Sequence, residues 1–179
     1  MPIFVGGVEI ADKQVFEEMQ YQDGVDTVKE ACFLAAQSLV IRQLLLNTAF
    51  KQKVIADLKD KALADIGTEE EEQMINTLID RSVCVPEAGV DVCKRYYENN
   101  LPKFTDKTLD KVLPFEQVTG HIKEYLSAQS LMNGISEYIQ VLAANTKIKG
   151  FDFKDPEAMM VDLEGLNQAG NLDIQLTNS

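Results

Sequence analysis

The sequence predicts a mostly α-helical domain with a long central helix and a small antiparallel sheet that joins its N-terminal and C-terminal strands. Three observations predict it. Apolar residues recur at threes and fours over most of the chain, which is the period of a helix face. The stretch Val25–Phe50 is apolar on nearly every side, as a helix surrounded by others must be. Two short segments, Val5-Gly6-Gly7-Val8-Glu9-Ile10 and Ile148-Lys149-Gly150-Phe151-Asp152-Phe153, alternate apolar and polar residues and break parity at glycine. A lone strand cannot satisfy its own backbone groups. The two segments are therefore expected to pair, each with a bulge at its glycine.

The elements follow in chain order. A strand is expected over Ile3–Ile10. Asp12 then caps a helix that carries Val15, Phe16 and Met19 on one side and runs to about Gln22, before Asp23-Gly24. The central helix comes next, from Val25 to Phe50, with a kinked continuation towards Leu63. Arg42 is the odd residue in it and is expected to snorkel or to pair with a carboxylate. Thr68-Glu69-Glu70-Glu71 reads as a capping box, Thr68 bonding forward and Glu71 reaching back. The acids there favour a helix first turn, so the run is read as a cap and not as a cation site. That helix carries Met74, Ile75, Leu78 and Ile79 and ends near Arg81.

Ser82–Val85 is a short extended linker. Pro86 suits a first helical position, so the next helix is expected to start there and to run through Val90, Cys93, Tyr96 and Tyr97 to Asn99-Asn100. Leu101–Leu113 is polar and lysine-rich, too weakly patterned for a core element. The last long helix starts at Pro114. Its stripe, Phe115, Val118, Ile122, Tyr125, Leu126, Met132, Ile135, Ile139 and Leu142, is sustained to about Asn145. His121 lies beside that stripe and is expected at the surface. Residues 154–179 form an acidic tail, in which Leu172, Ile174 and Leu176 alternate with polar residues as a strand would. An exposed strand edge is an association hazard, so Asn171–Thr177 is expected either to pair or to remain solvated.

Composition narrows the function. The chain has 179 residues, enough for one domain, with 45% hydrophobic and 26% charged residues. Its net charge is 17 − 29 = −12. Phosphates are repelled overall and no long basic run appears, which excludes a nucleic-acid surface. The single histidine, His121, excludes any site within this chain that needs two. Cys32, Cys84 and Cys93 are odd in number and form no C-x-x-C pair, so three reduced and mostly buried thiols are expected. The start lacks a basic segment followed by a long apolar one, and no run approaches about 18 apolar residues. A cytoplasmic protein without a membrane span is the resulting expectation. Neither G-x-S-x-G, nor a phosphate-binding loop, nor G-x-G-x-x-G, nor H-E-x-x-H occurs. No catalytic residue, cofactor or metal is assigned.

A resemblance extends this reading. It is carried by the strand Val5–Ile10, by Leu39–Leu46 (L-V-I-R-Q-L-L-L), by Thr68–Pro86 and by Val92–Phe104 (V-C-K-R-Y-Y-E-N-N-L-P-K-F). Leu113–Val118, Ile122–Tyr125, Tyr138–Ala143 and Ile148–Asp152 continue it. The chain resembles the NifM-like members of the SurA/PrsA class, parvulin-type peptidyl-prolyl isomerases with a helical chaperone domain. The match spans about Val5 to Phe153. It implies a SurA/NifM-like helical chaperone domain over residues 1–153, followed by the acidic tail.

The resembled family carries a whole parvulin domain where this chain has only Thr105–Leu113. The isomerase residues have no counterparts, and no catalytic role is carried onto His121. The resemblance therefore implies a non-catalytic chaperone-like or assembly-factor module. It would bind an unfolded or maturing client protein or peptide in an apolar groove, whose candidate residues are Phe33, Leu44, Met74, Tyr96, Tyr97 and Met132. The same side chains also suit an ordinary core. Nitrogenase maturation is a client setting suggested by the NifM likeness alone. The alternative is a structural or accessory subunit of a larger complex. A homodimer through exchange of a terminal strand or of the tail fits either reading.

Overall fold

Gly6 and Gly7 decide how the sheet is built. In the computed structural model, which describes residues 2–55, 62–106 and 111–154, strand β1 (Ile3–Val5) turns at the two glycines into β2 (Val8–Ile10). Their φ angles are 59° and 94°, and Val5 stands opposite Val8. Two central residues with positive φ make the hairpin turn whose twist matches its strands. The expected bulged single strand is therefore a hairpin. Strand β5 (Ile148–Lys149) pairs antiparallel with β1, Phe4 opposite Lys149 and Val5 opposite Ile148. The order is β2-β1-β5, so the two ends of the described chain meet as expected. Gly150 ends β5 at φ 78° rather than bulging it. A side chain there would crowd the Pro2 carbonyl, since a Cβ would sit 3.1 Å from its oxygen.

The described residues group into two compact units, one holding residues up to 75 and from 141 onward, the other residues 76–140. In the first, Ile3 and Val5 turn inward from β1 and are fully buried, as is Val15 of helix α1 (Asp12–Met19). Helix α2 (Val28–Gln52) supplies Cys32, Ala35, Ala36, Val40 and Leu44 to the same core. Phe151 closes it, stacked on Phe33 at 5.4 Å and edge-on to Phe153 at 5.1 Å. On the outer strand β2, Ile10 is buried and Val8, beside the turn, is exposed.

The ends of these helices depart from the sequence reading for local reasons. Ala11, not Asp12, is the N-cap of α1, and Gln14 Oε1 accepts its amide at 2.9 Å. The helix stops at Met19, before Gln22. Thr27 Oγ1 accepts the Glu30 amide at 3.1 Å, so α2 begins at Val28 rather than Val25. Lys53 takes a left-handed φ of 51° and stops α2. The amide of Val54 then closes on the Ala49 carbonyl at 3.2 Å, and most of the expected kinked continuation towards Leu63 lies outside the described residues. Asn47, near the end of α2, donates to the Val5 carbonyl at 3.0 Å and ties the helix to the hairpin.

After a 3-10 turn at Leu63–Asp65 comes α3 (Thr68–Ser82). The expected cap is displaced by one residue, since Glu70 and not Glu71 accepts the amide of Gly67, at 3.1 Å. Glu71 instead meets Arg42 at 2.6 Å. This is the carboxylate expected for that arginine. By length and hydropathy alone α2 is apolar enough to cross a membrane, as one helix near the N-terminus. Here its apolar residues line the core just described.

In the second unit Pro86 does not open a helix. Residues 83–89 stay extended, and α4 (Val90–Asn99) starts after Gly89. The described part of Leu101–Leu113 also carries more regular structure than its composition suggests. A 3-10 turn (Leu101–Phe104) leads into a ribbon of β3 (Thr105–Asp106) and β4 (Lys111–Val112), with Thr105 opposite Val112. Helix α5 (Phe115–Ala144) is 30 residues long. Its Val118 and Ile122 bury against Cys93 of α4. On α3, Met74 of the first unit and Leu78 of the second are both buried. The expected tail strand, Asn171–Thr177, lies outside the described residues.

Candidate functional site

The surface that stands out is the apolar stripe of α5. Val118, Ile122, Tyr125 and Met132 succeed one another at fours, threes and sevens, so they share one side of the helix. The stripe begins under cover, Val118 at 6% and Ile122 at 2% exposure. It is open at its middle, Tyr125 at 48% and Met132 at 72%, and Ile135, Ile139 and Leu142 further on are half-buried. Leu131 is exposed next to it, and Val90 and Val92 are exposed on α4.

The covered end is built from aromatic rings. Tyr96 and Tyr97 follow each other on α4 and so point to different neighbours. Tyr96 meets Tyr125 at 5.5 Å and Phe104 edge-on at 6.3 Å. Tyr97 packs on Phe115 at 5.5 Å and on Phe104 at 5.4 Å. Its hydroxyl donates to the Leu113 carbonyl at 2.7 Å, which fixes the ring against the β3–β4 ribbon. Lys103 sits over the Tyr96 ring at 5.5 Å, within cation–π reach. Both tyrosines are half-buried. They form the wall of the stripe rather than its floor.

On another side of α5, Gly134 provides a notch. The extended segment after α3 crosses it, and a Cβ added at Gly134 would come within 2.8 Å of Val83 and 3.4 Å of Val85. Val83 and Val85 turn towards the helix while Cys84 between them is exposed. Further along, Glu87 pairs with Lys123 at 2.6 Å. That contact holds the Glu87 carboxyl below its ordinary range and the Lys123 ammonium above its own.

The six residues expected to line a groove divide between the two units. Tyr96, Tyr97 and Met132 belong to residues 76–140, and Tyr96 reaches the stripe through Tyr125. Phe33, Leu44 and Met74 belong to the other unit. Leu44 and Met74 are at 1% and 2% exposure and present no surface, and Phe33 is half-buried under Phe151. Tyr125 and Val90, read as members of helical patterns, and Leu131 and Val92 are surface residues that were not among the groove candidates. Periodicity says which residues share a side, but not where a covering partner stops.

Burial pushes the Cys32 thiol up to about 11, with the Asp12 carboxylate adding to the effect. It is an inert core thiol at neutral pH. His121 is exposed, as expected. Among the described residues no three His, Cys, Asp or Glu side chains converge. No protein-family model, no curated protein and no solved structure matches the chain. The resemblance to the NifM-like class stands on the quoted segments alone.

Proposed function

We propose that the chain is a non-catalytic, chaperone-like or assembly-factor module that holds an unfolded or maturing client on the open part of the α5 stripe. One observation carries the reading. A sustained apolar stripe leaves Met132 at 72% and Tyr125 at 48% exposure, where a self-contained helix would hide them. Large exposed apolar residues set close together mark interaction surfaces. A flexible thioether and an amphipathic ring suit the task, because both adapt to unlike partners. Binding would consist of burying client side chains, with Tyr96 and Tyr97 as a firm aromatic wall.

The test is suppression of aggregation of a thermally unfolded client protein, followed by light scattering. The chain should suppress it at near-stoichiometric ratio. The double variant Tyr125→Glu with Met132→Glu changes exposed positions and should abolish suppression while the circular dichroism spectrum stays the same. Suppression that survives this variant, or no suppression by the parent chain, would sink the proposal.

A further inference from the structure

The first unit carries a second, differently charged feature at the edge of its sheet. Strand β5 is outermost in the order β2-β1-β5. Lys147 and Lys149 are exposed and two residues apart, so they project from the same side of the strand, about 7 Å from each other. The ladder reaches Lys147, whose carbonyl accepts the Gly6 amide at 3.0 Å. Phe4 stands opposite Lys149 and therefore shares that side, while Ile3 and Val5 face the core. A depression of about 330 Å³ opens there, lined by Pro2, Phe4, Gly7, Lys147, Lys149 and Gly150. Neither lysine has an ion-pair partner among the described residues. The acid on this side of the sheet is Glu9, across β1 from Lys149 and opposite Phe4.

We infer that this edge is a docking site for an extended acidic segment of a partner protein, added to β5 as a fourth strand. Charge complementarity selects the occupant. Carboxylates at alternate positions of an extended chain repeat at the spacing of Lys147 and Lys149, and each then faces one ammonium. A third side chain on that side, if apolar, enters the depression beside Phe4 and Pro2. Among the described residues β5 is paired on one side only; main-chain hydrogen bonds to its other edge supply affinity, and the two lysines supply selectivity. The two lysines stand in a chain of net charge −12. They also keep β5 from pairing with the β5 of a second copy, because like charges would then meet. The site belongs to the unit that does not hold the α5 stripe, so it stands independently of the client-binding reading.

The test uses the full chain and the labelled peptide Thr-Glu-Thr-Glu-Thr-Phe, blocked at both ends, followed by fluorescence anisotropy and amide NMR. Binding should shift the amides of Phe4, Ile148 and Lys149 and should weaken with salt. The exposed double variant Lys147→Glu with Lys149→Glu should bind about tenfold more weakly or worse. It should in turn bind the peptide in which lysines replace the glutamates. A peptide N-methylated on the edge-facing amides should lose binding. The proposal is overturned by no binding at millimolar peptide, by charge reversal without effect, by failure of the swapped pair, or by an N-methylated peptide that binds equally well.

Discussion

Replacing Phe151 by alanine tests whether the segment that follows β5 closes the core of the first unit. Phe151 is 8% exposed, stacked on Phe33 at 5.4 Å and edge-on to Phe153 at 5.1 Å. Truncating a buried phenylalanine costs about 3–5 kcal/mol, the loss of transfer energy plus the cavity left behind. Two aromatic pairs, each worth about 0.5–1.5 kcal/mol beyond burial, are lost with it. Phe153 is only half-buried and can settle inward, so the lower part of the range applies, about 3–4 kcal/mol. Natural stabilities are about 5–15 kcal/mol, so the variant should remain folded but fragile. With a urea dependence of about 2 kcal/mol per molar, the midpoint should fall by about 1.5–2 M. Far-UV circular dichroism suits the measurement, since the chain has no tryptophan. Phe151→Leu keeps most of the apolar volume and loses the two ring pairs, so it should cost less than the alanine variant, about 1–3 kcal/mol. A Phe151→Ala midpoint within about 0.3 M of the parent, at unchanged slope, would refute the reasoning.

Two further predictions follow from single side chains. At pH 8 an alkylating reagent should modify exposed Cys84 and leave buried Cys32 untouched. The folded Cys32 thiol titrates near 11 against an ordinary 9.0, so its contribution to stability is full below pH 9.0. It is lost as pH rises towards about 11, by at most about 1.4 kcal/mol per pH unit, and a Cys32→Ala variant should lack that slope in urea titrations. Gly134→Val places branched carbons where Val83 already sits 2.8 Å from a Cβ. It should cost about 1–3 kcal/mol and raise amide exchange at Val83 and Val85, whereas exchange at the parent rate would mean that the segment does not rest in the notch.

Much of the fold was legible, and the misreadings have local causes. The β1–β5 pairing followed from two glycine-broken strands with no other partner. Gly6-Gly7 carried a hairpin signal as well as a bulge signal. Val5 and Val8 are separated by two residues that both tolerate positive φ, so turn chemistry rather than parity decided. The cap of α3 slipped by one because Glu70 and Glu71 are chemically equal in sequence. Arg42, 29 residues upstream, takes one of them, and no local pattern shows that. Pro86 was read as a helix start, but Gly89 precedes the first helical turn. The β3–β4 ribbon has two-residue strands, too short for any alternation to register. Of the site, Tyr96, Tyr97 and Met132 were legible as apolar residues on the right helices. Leu44 and Met74 carry the same pattern and are buried, because periodicity cannot separate a floor from a wall.

The openness of the α5 stripe can be argued from length alone. A helix rises about 1.5 Å per residue, so α5, with its 30 residues, is about 45 Å long and α4, with 10, about 15 Å. Helix α4 can cover about a third of α5, and it does so at Val118 and Ile122. The far end is accounted for differently, since Ala143 packs on the core of the first unit. Between them the segment at Gly134 lies on another side of the helix, where Leu131 and Tyr138 neighbour the notch. Through Tyr96, α4 reaches as far as Tyr125, and Met132, two turns further on, is the part of the stripe that α4 is too short to reach. An apolar surface kept on a helix at that length is a standing cost to solubility. A partner that buries Met132 removes it, which is the physical reason for placing the client there.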